Sequence, residues 1–195
     1  MRFLLLILCA FLLGSIPFGV VVAKIYGVNL KKVGSGNIGA TNVLRSMGKG
    51  PALLTLVGDV VKGSLAIVIG RFFLHSPSLE GIIGLSAIVG HNFSLFLRFR
   101  GGKGVATSIG VLLIYSPKVG ALTVILWLMV IVVTRYSSLA AIVSFGLLPL
   151  SIYVLDYSQE KLVIGILVAF LLIFRHTDNI KRLLHGTELK IGKRV

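Results

Sequence analysis

Carboxylates are scarce in this chain. Its 195 residues hold six Asp and Glu against twenty Lys and Arg, for a formal charge of +14, and charged residues of both signs make up only 13%. A soluble domain carries about 25% charged residues, so a soluble core is not expected. There is one cysteine, Cys9, inside an apolar run. A single cysteine excludes an intrachain disulfide, and packing or lipid contact suits its place better than chemistry. No C-x-x-C or H-E-x-x-H string is present, and carboxylates are too few to hold Mg²⁺ without help from substrate phosphates. No metal and no cofactor are therefore expected. Low-complexity linkers and repeats of solenoid length are also lacking, so residues 1–195 read as one membrane-embedded domain.

What is present is apolar. Hydrophobic residues make up 56% of the chain, and several runs approach the ~18–20 residues that cross a bilayer as a helix. Seven candidate spans are expected at 3–23, 51–73, 79–97, 104–115, 119–134, 139–155 and 162–174. The fourth is short, about 18 Å as a helix. The first begins after Arg2 alone and has no clear small-x-small cleavage site before Lys24, so it reads as a span, not a leader. The fold class expected is an all-α integral membrane protein, a polytopic bundle of about seven transmembrane helices.

The cations orient the bundle. With the N-terminus outside, one side receives Lys24, Lys31, Lys32, Arg45, Lys49, Arg98, Arg100, Lys103, Arg135, Arg175, Lys181, Arg182, Lys190, Lys193 and Arg194. The other receives only Arg2, Arg71, Lys118 and Lys161. Loops rich in Lys and Arg are cytoplasmic, so the N-terminus is expected outside and the C-terminus in the cytoplasm. This explains the positive charge without nucleic acid, and no nucleic-acid partner is expected; membrane lipid is.

Three polar segments fall on that cationic side. The first is Gly34-Ser35-Gly36-Asn37-Ile38-Gly39-Ala40-Thr41-Asn42, followed by Arg45. Gly permits left-handed backbone, so successive amides can converge on one anion, and Ser35, Asn37 and Thr41 add donors. Thr41 or Asn42 is placed to cap a short helix carrying Arg45. An ordinary Gly/Ser/Asn loop is the other reading. The second segment runs from Gly90-His91-Asn92 through Arg98 and Arg100 to Gly101-Gly102-Lys103-Gly104, which opens the short fourth helix. A helix N-terminus with Gly amides and a Lys makes a phosphate site. The G-x-x-x-x-G-K-[ST] spacing of a nucleotide-binding loop is not met. Arg98 and Arg100 suit snorkelling at a helix end. The third is Arg175-His176-Thr177-Asp178-Asn179 through Glu188. If a helix continues from the last span, His176 and Asn179 share a stripe, while Lys181 and Arg182 read as a basic surface facing lipid. Ser138, after Arg135, is placed to line the same site.

His91 is either a proton acceptor or a satisfied hydrogen-bonding residue; His75 and His185 are weaker candidates. Asp59 and Lys62, three apart in the second span, are expected to pair with each other or with the polar cluster.

Together GSGNIGATNVLR, GHNFSLFLRFRGGKGVATSIG and RHTDNIKRLLHGTE, in order and at the right separations, resemble the three motifs of the bacterial acyl-phosphate:glycerol-3-phosphate acyltransferases, the PlsY family. The chain lacks the His-x-x-x-x-Asp motif of acyltransferases that use acyl-CoA or acyl carrier protein; His75 with Glu80 comes nearest. The resemblance implies a seven-helix inner-membrane enzyme whose site faces the cytoplasm. It implies transfer of an acyl group from acyl phosphate to the 1-hydroxyl of glycerol 3-phosphate, giving lysophosphatidic acid and phosphate, the entry to phospholipid synthesis. By the same resemblance, Ser35, Gly36 and Asn37, with Gly34 and Thr41 beside them, would hold the acyl-phosphate phosphate. Arg45, Lys103 and its flanking Gly101, Gly102 and Gly104 would take glycerol 3-phosphate, and His176 and Asn179 would position the glycerol hydroxyls. Ser35, His91 and His176 are the candidates for catalysis, with the proton going to a His or to the departing phosphate. Glu188 is only a weak site candidate. A transporter of phosphate-bearing solutes is the rival class; it should hold its donors near mid-membrane.

Overall fold

The computed structural model describes residues 1–192 of the chain; Lys193 and Arg194, counted above among the cytoplasmic cations, lie outside the described residues. The described residues form eleven α-helices and two 3-10 turns. The first span is broken. α1 (Arg2–Ser15) ends before Pro17, which has no N–H to continue the ladder, and α2 (Phe18–Ile25) follows. A short α3 (Ala40–Met47) leads to the longest helix, α4 (Lys49–Leu74), and then α5 (Pro77–Asn92). The latter stops five residues before the expected end of its span, in a loop with a 3-10 turn at Leu95–Leu97.

α6 (Val105–Tyr115) has 11 residues, about 16 Å, and is followed by α7 (Pro117–Thr134). The sixth run divides into α8 (Ser137–Gly146) and α9 (Leu148–Leu155), bent by 44° where Gly146 and Pro149 interrupt the helix. α10 (Gln159–Arg175) and α11 (Thr177–Leu184) meet at 57°. The expectation that His176 continues the last span is therefore corrected. The physical reason is local: the His176 Nδ1–H donates to the Leu172 carbonyl at 2.7 Å, the acceptor its backbone N–H would use in a continuous helix. That N–H turns to Ile173 instead, at 2.9 Å.

Four helices are long and apolar enough to cross a membrane, six if each bent pair is one span, and α6 is the short seventh element. Leu53, Phe72, Val132, Val133 and Phe170 point outward, as they do when the solvent is lipid. Inside, Ile67, Ile88, Val111, Leu112, Phe145, Leu148 and Leu172 form the main core. Lipid tails are as apolar as these side chains, so close contact, not burial from water, must hold the helices together. Glycines supply it: α4 and α6 touch at Gly63 against Thr107 and at Gly110 against Val60, where a Cβ would collide with backbone.

Candidate active site

The first wall is built around Asn42, which is 1% exposed. It does not cap α3, as expected of it; Gly39 is the N-cap and Thr41 and Asn42 lie in the first turn. Asn42 instead staples the preceding loop. Its Nδ2 donates to the carbonyls of Leu30, Val33 and Asn37 at 3.3, 3.2 and 2.8 Å, and its Oδ1 accepts the Ser35 N–H at 2.9 Å. Asn37 Oδ1 accepts the Gly39 N–H at 2.9 Å. Gly34, at φ +56°, passes so close to Asn42 that no side chain fits there.

The second wall is the loop into α6. The Gly102 N–H donates to the His91 carbonyl at 3.0 Å. The Arg175 guanidinium, reaching from the end of α10, donates to the carbonyls of Gly101 and Gly102 at 3.3 and 2.9 Å. Gly104 turns the chain at φ +85° and α6 begins. Lys103, thus placed, donates from Nζ to Asn179 Oδ1.

The third wall joins the start of α8 to the chain after α11. Glu188 sits at its centre. Ser138 Oγ and Asn179 Nδ2 donate to Glu188 Oε1 at 2.8 and 2.7 Å, and Arg182 Nε pairs with Oε2 at 2.7 Å. Arg45, 9% exposed, donates from Nη2 to the Leu189 carbonyl at 2.7 Å. Thr41 and Ser137 hydroxyls meet at 3.0 Å.

These walls enclose one cavity of about 610 Å³. Ser35, Asn37, Thr41, Arg45, Lys103, Gly104, Ser138, His176 and Asn179 all border it, so residues from all three polar segments stand at one end of the bundle. Gly34, Gly36, Gly101 and Gly102, expected among the substrate-binding residues, do not line the cavity. His91 borders the cavity, with its Nδ1 3.4 Å from Asp59 Oδ1. Arg98 and Arg100 are exposed and take no part in the lining. Arg182, read from sequence as surface charge, instead joins the cluster. The other end of the cavity is apolar: Leu53 and Leu56 of α4, Val105, Ala106 and Ile109 of α6, and Val124, Trp127 and Leu128 of α7.

Burial pushes the Lys103 ammonium down to about 8; Glu188 opposes that shift, and the neighbouring Arg182 and Arg175 add to it. Burial likewise lowers Arg45, again opposed by Glu188. For Glu188 burial acts upward, but hydrogen bonds from Ser138, Asn179 and Arg182 outweigh it and hold the carboxyl below its usual range. Thus Arg45, Lys49 and Lys103 line the cavity against the carboxylates of Glu188 and Asp59, with neutral donors beside them, a setting suited to a small dianion. Among the described residues no group of three or more His, Cys, Asp or Glu is placed to hold a metal ion.

The sequence does not mark Arg175 as a loop clamp, Asn42 as a staple or Glu188 as the centre of a wall. An Asn beside a glycine-rich loop is the one sequence signal that could mark Asn42.

A helical membrane bundle with a cation-lined pocket at one end and an apolar cleft opening from it fits a class: a membrane enzyme or carrier handling an amphiphile. Residues 4–186 match the family model described as glycerol-3-phosphate acyltransferase. Among curated relatives, a glycerol-3-phosphate acyltransferase of Thermus thermophilus is 47% identical over 189 residues, 97% of this chain and 95% of the relative. That of Aromatoleum aromaticum is 48% identical over 193 residues, 98% of each chain. Crystal structures of PlsY (YgiH), an integral membrane glycerol 3-phosphate acyltransferase, superpose closely. Its glycerol 3-phosphate form has a TM-score of 0.93 at 40% identity, covering 98% of this chain and 96% of that one. Its lysophosphatidic acid form has 0.91 at 39%, with the same coverage. The chain belongs to the glycerol-3-phosphate acyltransferase family, as an integral membrane member.

Proposed function

We propose that the protein transfers an acyl group from acyl phosphate to the 1-hydroxyl of sn-glycerol 3-phosphate, releasing lysophosphatidic acid and inorganic phosphate. The observation that carries this reading is the two-ended cavity: anion donors at one end and the side chains of α4, α6 and α7 at the other. A water-soluble phosphate ester fits only the first; a lipid acyl donor needs both. Leu53, Leu56 and Leu128 also face the bilayer, so a tail can enter sideways from lipid. The crystal forms of the 40%-identical relative, with glycerol 3-phosphate and with lysophosphatidic acid, support the same substrate and product here.

The Ser35–Asn37 loop holds the phosphate of the acyl donor, and Arg45 and Lys103 hold that of glycerol 3-phosphate. His176 donates its Nδ1–H to a backbone carbonyl, so its Nε2 lone pair is left to accept from a glycerol hydroxyl. Asn179, linked to Lys103, fixes the neighbouring hydroxyl. The hydroxyl oxygen attacks the acyl carbonyl carbon, the carbon–oxygen bond to phosphate breaks, and the hydroxyl proton ends on the departing phosphate. An acyl phosphate is already activated, so holding the partners together supplies most of the acceleration. The Ser35 loop and Lys103 steady the charge that develops on the oxygens.

Residues 1–195 act as one unit in the bacterial inner membrane. The N-terminus is outside, and the site faces the cytoplasm because the cation-rich loops lie on its side. Purified protein given palmitoyl phosphate and glycerol 3-phosphate releases phosphate and lysophosphatidate in equal amounts, and does not accept palmitoyl-CoA or palmitoyl-acyl carrier protein. Equal use of the thioester donors overturns the assignment of the donor.

A further inference from the structure

Asp59, Lys62 and His91 form a buried cluster that the reaction above does not use. Lys62 is 1%, Asp59 2% and His91 4% exposed. Asp59 Oδ1 lies 2.8 Å from Lys62 Nζ and 3.4 Å from His91 Nδ1. Lys62 Nζ also donates at 2.7 Å to the Ile16 carbonyl, at the α1–α2 break. Three charged or ionisable groups inside a membrane bundle are costly unless each has a partner. One carboxylate stands near both of the others: it pairs with Lys62, and its Oδ1 faces the His91 Nδ1 at 3.4 Å without a closed hydrogen bond.

His91 touches the phosphate-binding loop twice. Its carbonyl accepts the Gly102 N–H at 3.0 Å. Its ring Nε2 packs against Gly102, at the spot a Cβ would occupy. The Gly101 backbone lies against the same His91 carbonyl, with no room for a side chain. Residue 103 follows directly, carrying the ammonium that faces the cavity. The ring therefore has one nitrogen toward Asp59 and the other against the loop.

We infer that Asp59 is a positioning residue: through the His91 ring it fixes the 101–104 loop and hence where Lys103 meets glycerol 3-phosphate, with Lys62 as its counter-charge. Asp59 itself touches no reacting atom. This rests on the reading that Lys103 binds glycerol 3-phosphate. A displacement of the loop by an ångström weakens binding of the acceptor on the order of ten- to a hundredfold. The acyl donor's phosphate, held by the other loop, is little affected.

The test is a double-mutant cycle on the purified full-length enzyme. Asp59→Asn and His91→Ala each raise the KM for glycerol 3-phosphate by about tenfold or more, while the KM for palmitoyl phosphate stays within about twofold. In the His91→Ala background, Asp59→Asn adds nothing further, because its effect travels through the ring. Asp59→Asn with Lys62→Met removes both charges together and serves where the single variant leaves Lys62 unpaired and the protein unfolded. Lys103→Ala is the control for the underlying reading. If it leaves the KM for glycerol 3-phosphate unchanged, the substrate assignment fails. If it raises that KM while the Asp59 variants do not, or if the Asp59 and His91 effects simply add, the positioning role is overturned. Equal rises in both KM values mark Asp59 as a general fold stabiliser and also overturn it.

Discussion

Asn179 Nδ2 donates to Glu188 Oε1 at 2.7 Å, so a carboxylate stands among the cations of the free enzyme. It ties α11, the start of α8 through Ser138, and the terminal segment into one unit. It also balances Arg45 and Lys103 before substrate arrives. Glu188→Ala removes three hydrogen bonds and leaves Arg182 and Ser138 without that partner. Stability falls by about 1–3 kcal/mol, measured as a lower midpoint in detergent unfolding. An unchanged midpoint contradicts this account of the segment.

Lys103 is half-buried and is the cation that donates to Asn179. Lys103→Ala raises the KM for glycerol 3-phosphate by roughly tenfold to a hundredfold, the loss of about 1.5–3 kcal/mol for a hydrogen bond to a charged group. The KM for the acyl donor moves much less. Steady-state kinetics with each substrate varied in turn separate the two.

The same residue sets a pH dependence. Its ammonium is lowered to about 8, so it is charged below that value and neutral above it. A phosphate dianion needs the charged form. Hence kcat/KM for glycerol 3-phosphate, which reports the free enzyme and free substrate, is level between the second ionisation of the substrate phosphate at about 6 and 8, and falls as pH rises through 8. Glu188, lowered by its three donors, stays ionised across that window and adds no step there. In Lys103→Arg the fall near pH 8 disappears, because a guanidinium stays charged.

Ser35 contributes a hydroxyl to the cavity while its backbone N–H is bonded to Asn42. Ser35→Ala removes one donor from the acyl phosphate and lowers kcat on the order of a hundredfold, leaving the fold intact. Asn42→Ala removes the staple itself, so both kcat and the unfolding midpoint fall. A Ser35→Ala enzyme with wild-type kcat removes that loop from the site.

The helices were legible because membrane length imposes long apolar runs, and the loops because glycine, hydroxyl and cation have few other reasons to cluster. The breaks were less so. Pro17 and Pro149 lie inside runs that hydropathy joins, and the bend at His176 has no Pro or Gly. It follows from a side-chain bond to Leu172 that appears only once the ring has a rotamer. In sequence Glu188 is a weak candidate because variation is expected at the Gly-Thr-Glu end of the third motif. Its weight comes from Ser138, fifty residues earlier. In sequence Arg175 is one cytoplasmic cation among many; only the packing of α10 against α5 brings it to the glycine carbonyls.

Helix contact in the bundle depends on missing side chains. Gly110→Leu drives a side chain into the Val60 backbone and separates α4 from α6, which together form part of the cavity wall. Overpacking of this kind costs about 1–3 kcal/mol or more, read as a lower unfolding midpoint together with a raised KM for the acyl donor.

The central claim is that two phosphates are held side by side, one by the Ser35–Asn37 loop and one by Arg45 and Lys103. The most direct measurement is calorimetric titration of glycerol 3-phosphate into enzyme saturated with a non-hydrolysable acyl phosphonate. The account predicts that glycerol 3-phosphate still binds at one equivalent, and that Lys103→Ala weakens this binding roughly tenfold to a hundredfold without releasing the phosphonate. Mutual exclusion of the two ligands means a single anion subsite and contradicts it.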